Sequence, residues 1–195
     1  MQVPLFPLHT VLFPGGVLPL RIFETRYIDM VSHCLKFDRP FGVLLIRDGN
    51  EAGAATTFGV GTLARIADWY QGSDGLLGVT AIGERRFRLL SAARQPDGLH
   101  LGEIELLTDE AAVMLPEDLG ELAVILAGVL DDLGKLYASL DRRLDDAGWV
   151  SARFIEILPL DLELKQQCLE KADPAERLQL VRSILDASRA PHGPG

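Results

Sequence analysis

The chain has 195 residues, 48% of them hydrophobic and 24% charged, with a formal net charge of −9. This composition is globular, and no apolar run approaches the ~20 residues that cross a bilayer. Phosphate backbones are held by clustered Lys and Arg, which are scarce here, so neither a membrane nor a nucleic acid is an expected partner.

The two halves differ. Residues 1–107 carry 10 Lys and Arg against 11 Asp and Glu, with 13 glycines, whereas residues 108–195 carry 9 against 17, with 6 glycines. Turn-rich strands followed by helices, an α+β arrangement, explain that split. The apolar start, Met1 to Leu20, has no basic stretch before Arg21 and is broken by Pro4, Pro7, Pro14 and Pro19. It reads as retained and folded rather than as a secretion signal. Cys34 and Cys168 stand far apart without Cys-x-x-Cys spacing, which gives neither a disulfide framework nor a zinc site and fits a reducing, cytoplasmic compartment.

In chain order, the prolines of the opening segment confine it to edge and turn conformations, while Phe6, Phe13, Ile22 and Phe23 supply apolar area to bury. From Glu24 to Lys36, Tyr27, Ile28, Val31, Cys34 and Leu35 fall at helical spacing, so one helix should plug one side of a sheet with Cys34 facing inward. Strands are predicted over 41–47, 61–67, 76–82, 87–93 and 99–107, with turns at Asp48-Gly49, Gly72-Ser-Asp-Gly75 and Pro96-Asp-Gly98. Five or six short, glycine-rich strands imply a small, curled, barrel-like sheet. Beyond residue 108, leucines and Val129 recur at three- and four-residue intervals from Leu119 to Leu144, which predicts one long amphipathic helix begun near Pro116. Shorter helices are predicted over 149–158, stopped by Pro159, and over 162–171. A last helix opens on Asp173-Pro-Ala-Glu176, an N-cap, a first-turn proline and a capping-box glutamate. Residues 189–195 are predicted to form a disordered tail.

Catalytic and cofactor patterns are missing. Gly134-Lys135 is followed by Leu136 and makes no phosphate loop, and Gly59-Val-Gly-Thr-Leu-Ala64 precedes a strand where a dinucleotide fingerprint needs a helix. Lys135 and Ser139 sit one helical turn apart on a solvated face, and the four histidines have no ligand spacing. No enzyme activity, cofactor or metal is predicted.

The opening string is specific: Pro4-Leu-Phe-Pro-Leu8, Leu12-Phe-Pro-Gly-Gly16, Leu18-Pro-Leu-Arg-Ile-Phe-Glu24 and Arg26-Tyr27. It closely resembles the start of the Lon protease N-terminal domain, a substrate-binding module. Further matches follow at Phe41-Gly-Val43, Val60-Gly-Thr62, Asp74-Gly75, Arg86-Phe87, Leu158-Pro-Leu160, Lys165-Gln166 and Arg177-Leu178, so the resemblance covers about residues 2–186. Leu99-His-Leu-Gly102 departs from it, since relatives often carry an aromatic there. The resemblance implies a PUA-like β-barrel over 1–107 and an α-helical bundle over 108–188. The ATPase and Ser-Lys protease modules of the family's protease chains have no counterpart in this sequence, which looks like the stand-alone, single-domain members.

The implied function is non-enzymatic binding of exposed apolar segments of unfolded or damaged clients, or of a protein partner. An RNA-binding PUA-like protein, anchored by Arg85-Arg86-x-Arg88, is the alternative. Within the opening motif, Pro4, Phe6, Pro7, Phe13, Pro14, Pro19, Arg21, Phe23, Glu24, Arg26 and Tyr27 are assigned to holding sheet and helix together. Trp69 and Tyr70 are adjacent near a hairpin turn, and strand neighbours point to opposite faces, so at least one is exposed. They are the predicted substrate-binding residues, with Leu12 and Phe13 as companions.

Overall fold

The computed structural model describes residues 1–51, 55–134, 137 and 140–189. The strands are β1 (Gln2–Leu8), β2 (Val17–Ile22), β3 (Phe41–Gly49), β4 (Ala55–Thr57), β5 (Val60–Gln71), β6 (Leu77–Arg94) and β7 (His100–Leu106). The helices are α1 (Thr25–Phe37), α2 (Gly120–Asp132), α3 (Ala147–Ile157), α4 (Leu162–Lys171) and α5 (Pro174–Arg189). The fold is thus a mixed one, a seven-stranded sheet with helices.

The opening segment is a strand, not only edge and turn. β1 pairs with β7 through Gln2–Leu5 and, in parallel, with β3 through Leu5–Leu8. Each proline therefore falls where β1 has one neighbour: Pro4 opposite Leu101, and Pro7 opposite Leu44. A missing N–H is harmless on the unpaired side of a strand. Because β1 also joins β3, the pairing path β1–β7–β6–β5–β3 returns to β1, while β2 attaches to β6 and β4 to β3.

Two predicted strands, 76–82 and 87–93, are one continuous strand, β6. Its first part pairs with β2, its last with β7, and β5 runs along it. At the change of partner stands Gly83, where a methyl group would overlap the Phe13 carbonyl, so only glycine lets the loop before β2 pass so closely. In α1, Tyr27, Val31 and Cys34 are buried as predicted, but Ile28 and Leu35 are exposed and Met30 takes the inward position.

The predicted long helix ends at Asp132, and Gly134 adopts a φ of 65°. Leu140 and Leu144 are not helical, yet they pack on the same core, which is why leucine spacing alone overran the helix end. Lys135 and Ser139, like residues 190–195 of the predicted tail, lie outside the described residues, whereas Arg189, also assigned to that tail, is the last residue of α5. Asp173 caps α5 by accepting the Ala175 and Glu176 amides at 2.9 and 3.1 Å, but Glu176 pairs with Lys171 rather than closing a capping box.

The largest apolar cluster joins both halves: Val11, Phe13 and Leu45 pack with Leu126, Trp149, Phe154, Leu169 and Val181. A second cluster lies between the sheet and α1. Among the described residues no helix is long and apolar enough to cross a membrane.

Candidate functional site

The β5–β6 hairpin turns at Gly72–Leu76, where the Gly72 amide donates to the Leu76 carbonyl at 2.8 Å. Just before the turn, Trp69 stands opposite Val79 and Tyr70 opposite Gly78. Alternation sends the two rings to opposite faces, and both are solvent-facing, at 59% and 53% exposure. β3 pairs with β5 at Thr62–Ala64, which leaves this distal end of β5 with β6 as its strand neighbour. Phe23, one residue beyond β2, is also exposed, at 67%. Its predicted burial is therefore corrected: it stands past the end of the strand whose alternation buries Leu20 and Ile22.

The β2 end and the hairpin are joined directly. Arg21 ion-pairs with Asp74 in the turn, a longer reach than the expected grouping at the helix start. Glu24 and Arg26 do pair there, at 2.7 Å. Arg26 is buried, donates to the Gly98 carbonyl at 2.8 Å, and sets its guanidinium 4.6 Å from the Tyr27 ring. Tyr27 stacks on Phe6 with ring centroids 3.9 Å apart, and burial raises its phenol pKa above the ordinary value. Beside these groups lies a cleft of about 430 Å³ bordered by Phe6, Leu8, Tyr27 and the whole run Leu18–Phe23. Sequence reasoning missed this cleft, because β1 and β2 meet only in the folded chain.

Leu12 and Phe13 are buried, so their assignment beside Trp69 as binding residues is corrected. The Leu12 carbonyl accepts from Thr62 Oγ1 at 2.6 Å, and the Phe13 amide donates to Glu156 Oε1 at 2.9 Å. Arg153, fully buried, pairs with Glu156 at 2.7 Å and donates to the Pro14 carbonyl at 3.1 Å. Burial raises the Glu156 pKa, and the Arg153 charge opposes that rise. This loop is an anchor between sheet and α3, with Pro14 part of it and Pro19 exposed on β2.

Two of the three clustered arginines, Arg85 and Arg86, are engaged by the protein itself, while Arg88 is exposed. Arg85 pairs with Asp109 at 3.0 Å, while Arg86 is buried and donates to the Leu169 and Thr108 carbonyls at 3.2 and 2.8 Å. Cys34 is buried, and burial pushes its thiol up to about 11, far from the reactive range.

A family model described as the ATP-dependent protease La (LON) substrate-binding domain matches residues 2–187. The Lon protease of Anaeromyxobacter dehalogenans (strain 2CP-C) is 26% identical over 196 residues, which is 96% of this chain and 23% of that protein. Protein cereblon of Xenopus tropicalis is 31% identical over 112 residues, covering 55% of this chain and 24% of that protein. The chain thus spans about a quarter of the length of these curated relatives. A crystal structure of a Lon N-terminal domain protein from Xanthomonas campestris, 36% identical, superposes with a TM-score of 0.75 over 94% of this chain and 98% of that one. The N-terminal domain of Mycobacterium avium complex Lon protease shares the fold, with a TM-score of 0.61 at 18% identity over 93% of this chain and 96% of that one. On sequence and fold together, the chain belongs to the Lon substrate-binding domain family.

Proposed function

We propose that this chain binds exposed, extended apolar segments of other proteins, unfolded or damaged clients or a dedicated protein partner, and carries out no chemical step on them. The observation that carries this reading is the gathering of Trp69, Tyr70 and Phe23, all exposed, at neighbouring strand ends. Exposed aromatic rings offer large contact area with few rotatable bonds, the usual chemistry of protein-binding anchors. Family membership supports the same reading, as do the relatives named Lon protease and protein cereblon.

In this reading the strand path that returns to β1 is a PUA-like β-barrel, α2–α5 form a helical bundle, and the boundary falls near residue 107. Two free, buried cysteines are compatible with a cytoplasmic location. Protein is favoured over RNA as the ligand because Arg86 is committed to backbone carbonyls and Arg85 to Asp109.

The test is fluorescence anisotropy of labelled, reduced and carboxymethylated casein titrated with the protein, alongside a labelled single-stranded RNA at physiological salt. Saturable casein binding, weakened in Trp69→Ala or Tyr70→Ala, with intact casein recovered afterwards, is expected. Sub-micromolar RNA binding lost in Arg86→Ala, with no casein binding, would reverse the reading.

A further inference from the structure

We propose that the outer edge of β2 takes up an extended peptide as an added antiparallel strand, with a basic residue at the peptide's N-terminal end. This rests on the client-binding reading above and states how the backbone of such a segment is held.

The face of a strand presents alternate residues, whereas its edge presents consecutive ones. The six consecutive residues Leu18–Phe23 all border the cleft of about 430 Å³, so the cleft runs along the edge of β2. Among the described residues β2 pairs with β6 alone, which leaves that edge without a strand neighbour.

The phase of the ladder shows which backbone groups face the cleft. Bonded and non-bonded pairs alternate in an antiparallel ladder, and the Gly72–Leu76 hydrogen bond puts Tyr70 and Gly78 in a bonded pair two residues further on. Gly78 therefore turns its N–H and C=O toward β5, and Arg21, opposite it on the other side, forms a non-bonded pair. The Gly83 amide bonded to the Gly16 carbonyl at 2.9 Å gives the same phase from the far end of β2. Leu18, Leu20 and Ile22 thus bond to β6, while Pro19 and Arg21 direct their backbone outward. Proline, lacking an N–H, is at home in that position. The free edge offers the Pro19 carbonyl and both backbone groups of Arg21.

Across the cleft, Phe6, Leu8 and Tyr27 form an apolar wall, each with less than a tenth of its surface exposed, so a guest strand is held chiefly by its backbone. Charge places the basic residue of the guest. Arg21 and Glu24 have partners in Asp74 and Arg26, but Glu51, which borders the cleft, accepts only the His9 amide, at 3.0 Å, and has no cationic partner among the described residues. Arg26 reaches both Glu24 Oε2, at 2.7 Å, and the Glu51 carbonyl, at 3.2 Å, so both acids lie at the end where β2 runs into α1. An antiparallel guest begins at that end, which places its N-terminal Lys or Arg beside Glu51. A second copy of β2 is a poorer occupant, since each Pro19 would lack a donor in the shared ladder.

The experiment uses a fluorescein-labelled hexapeptide, Lys-Leu-Thr-Leu-Thr-Leu, and versions N-methylated at successive residues, titrated with the whole chain and read by anisotropy. Strand addition predicts a two-residue alternation: about tenfold weaker binding where the methyl replaces an inward N–H, and near-unchanged binding at the next position. Equal tolerance at every position overturns strand addition while leaving client binding intact. Failure of the parent hexapeptide to bind while casein binds also overturns it, and failure of both removes the client-binding reading too. Arg21→Pro, which removes one outward N–H without touching the β6 ladder, should weaken the parent peptide about tenfold. Arg21→Ala, which keeps the backbone, should not. A concentration-dependent dimer abolished by Arg21→Pro would assign the edge to self-association instead. If Arg21→Pro does not fold, the methylation series on the unaltered protein decides.

Discussion

The Tyr70 ring covers Gly78 on the neighbouring strand, so closely that a methyl group at position 78 would overlap it. Tyr70 therefore packs against its own sheet, whereas Trp69, paired with the already buried Val79, keeps more of its ring free. Trp69→Ala should weaken client binding by ~1–2 kcal/mol with the melting temperature unchanged. Tyr70→Ala, by uncovering Gly78, should in addition lower stability by ~0.2–1 kcal/mol, the range of one cross-strand pair. Anisotropy and urea denaturation separate the two effects, and a destabilised Trp69→Ala would contradict this assignment.

The Arg153–Glu156 pair should behave as a clamp on the loop before β2. Arg153 has no solvent exposure, and Glu156 also holds the Phe13 amide. Glu156→Ala leaves a buried guanidinium without its counter-charge and should cost about 3–5 kcal/mol in urea unfolding. A loss below ~1 kcal/mol would mean that the loop is held by packing alone.

His100 gives a signed pH effect. Burial, then the Arg94 and Arg26 charges, lowers its pKa below the ordinary 6.5. The unfolded chain therefore binds that proton first on acidification, so the His100 contribution to stability is complete above pH 6.5 and lost as pH falls through the folded value. His100→Gln should flatten the difference between urea midpoints measured at pH 7 and pH 5. An unchanged pH slope would rule out His100 as its source.

Residues 1–107 alone should not fold. Phe13 and Leu45 share their apolar cluster with the helices, and the Val60 carbonyl accepts from Gln166 Nε2 at 2.9 Å. Circular dichroism and amide proton dispersion of the fragment check this. A cooperative thermal transition in the fragment would establish two independent units instead.

Local chemistry was readable wherever one signal acted over a few residues. The Gly72–Gly75 turn and the α5 start at Asp173-Pro174 both follow from turn or capping residues. β1 was not legible because its prolines describe a loop locally, and only Leu101 and Leu44, far along the chain, make it a strand. The end of α2 was hidden for the converse reason: Leu140 and Leu144 keep helical spacing and the same core while leaving the helix. At the candidate site, adjacency of Trp69 and Tyr70 correctly required an exposed ring. Nothing in Leu12-Phe13-Pro14 announced that its backbone is bound by Glu156 and Arg153.

The bond from the Phe13 amide to Glu156 joins residues 143 positions apart. During synthesis at ~5–20 residues per second, Phe13 is added roughly 7–29 s before its partner has been made. For that interval one of the most deeply buried aromatic rings of the finished protein has no α3 to cover it. Until α3 follows, the Phe13 segment stays uncovered, and any truncation upstream of α3 releases a product in which it remains so.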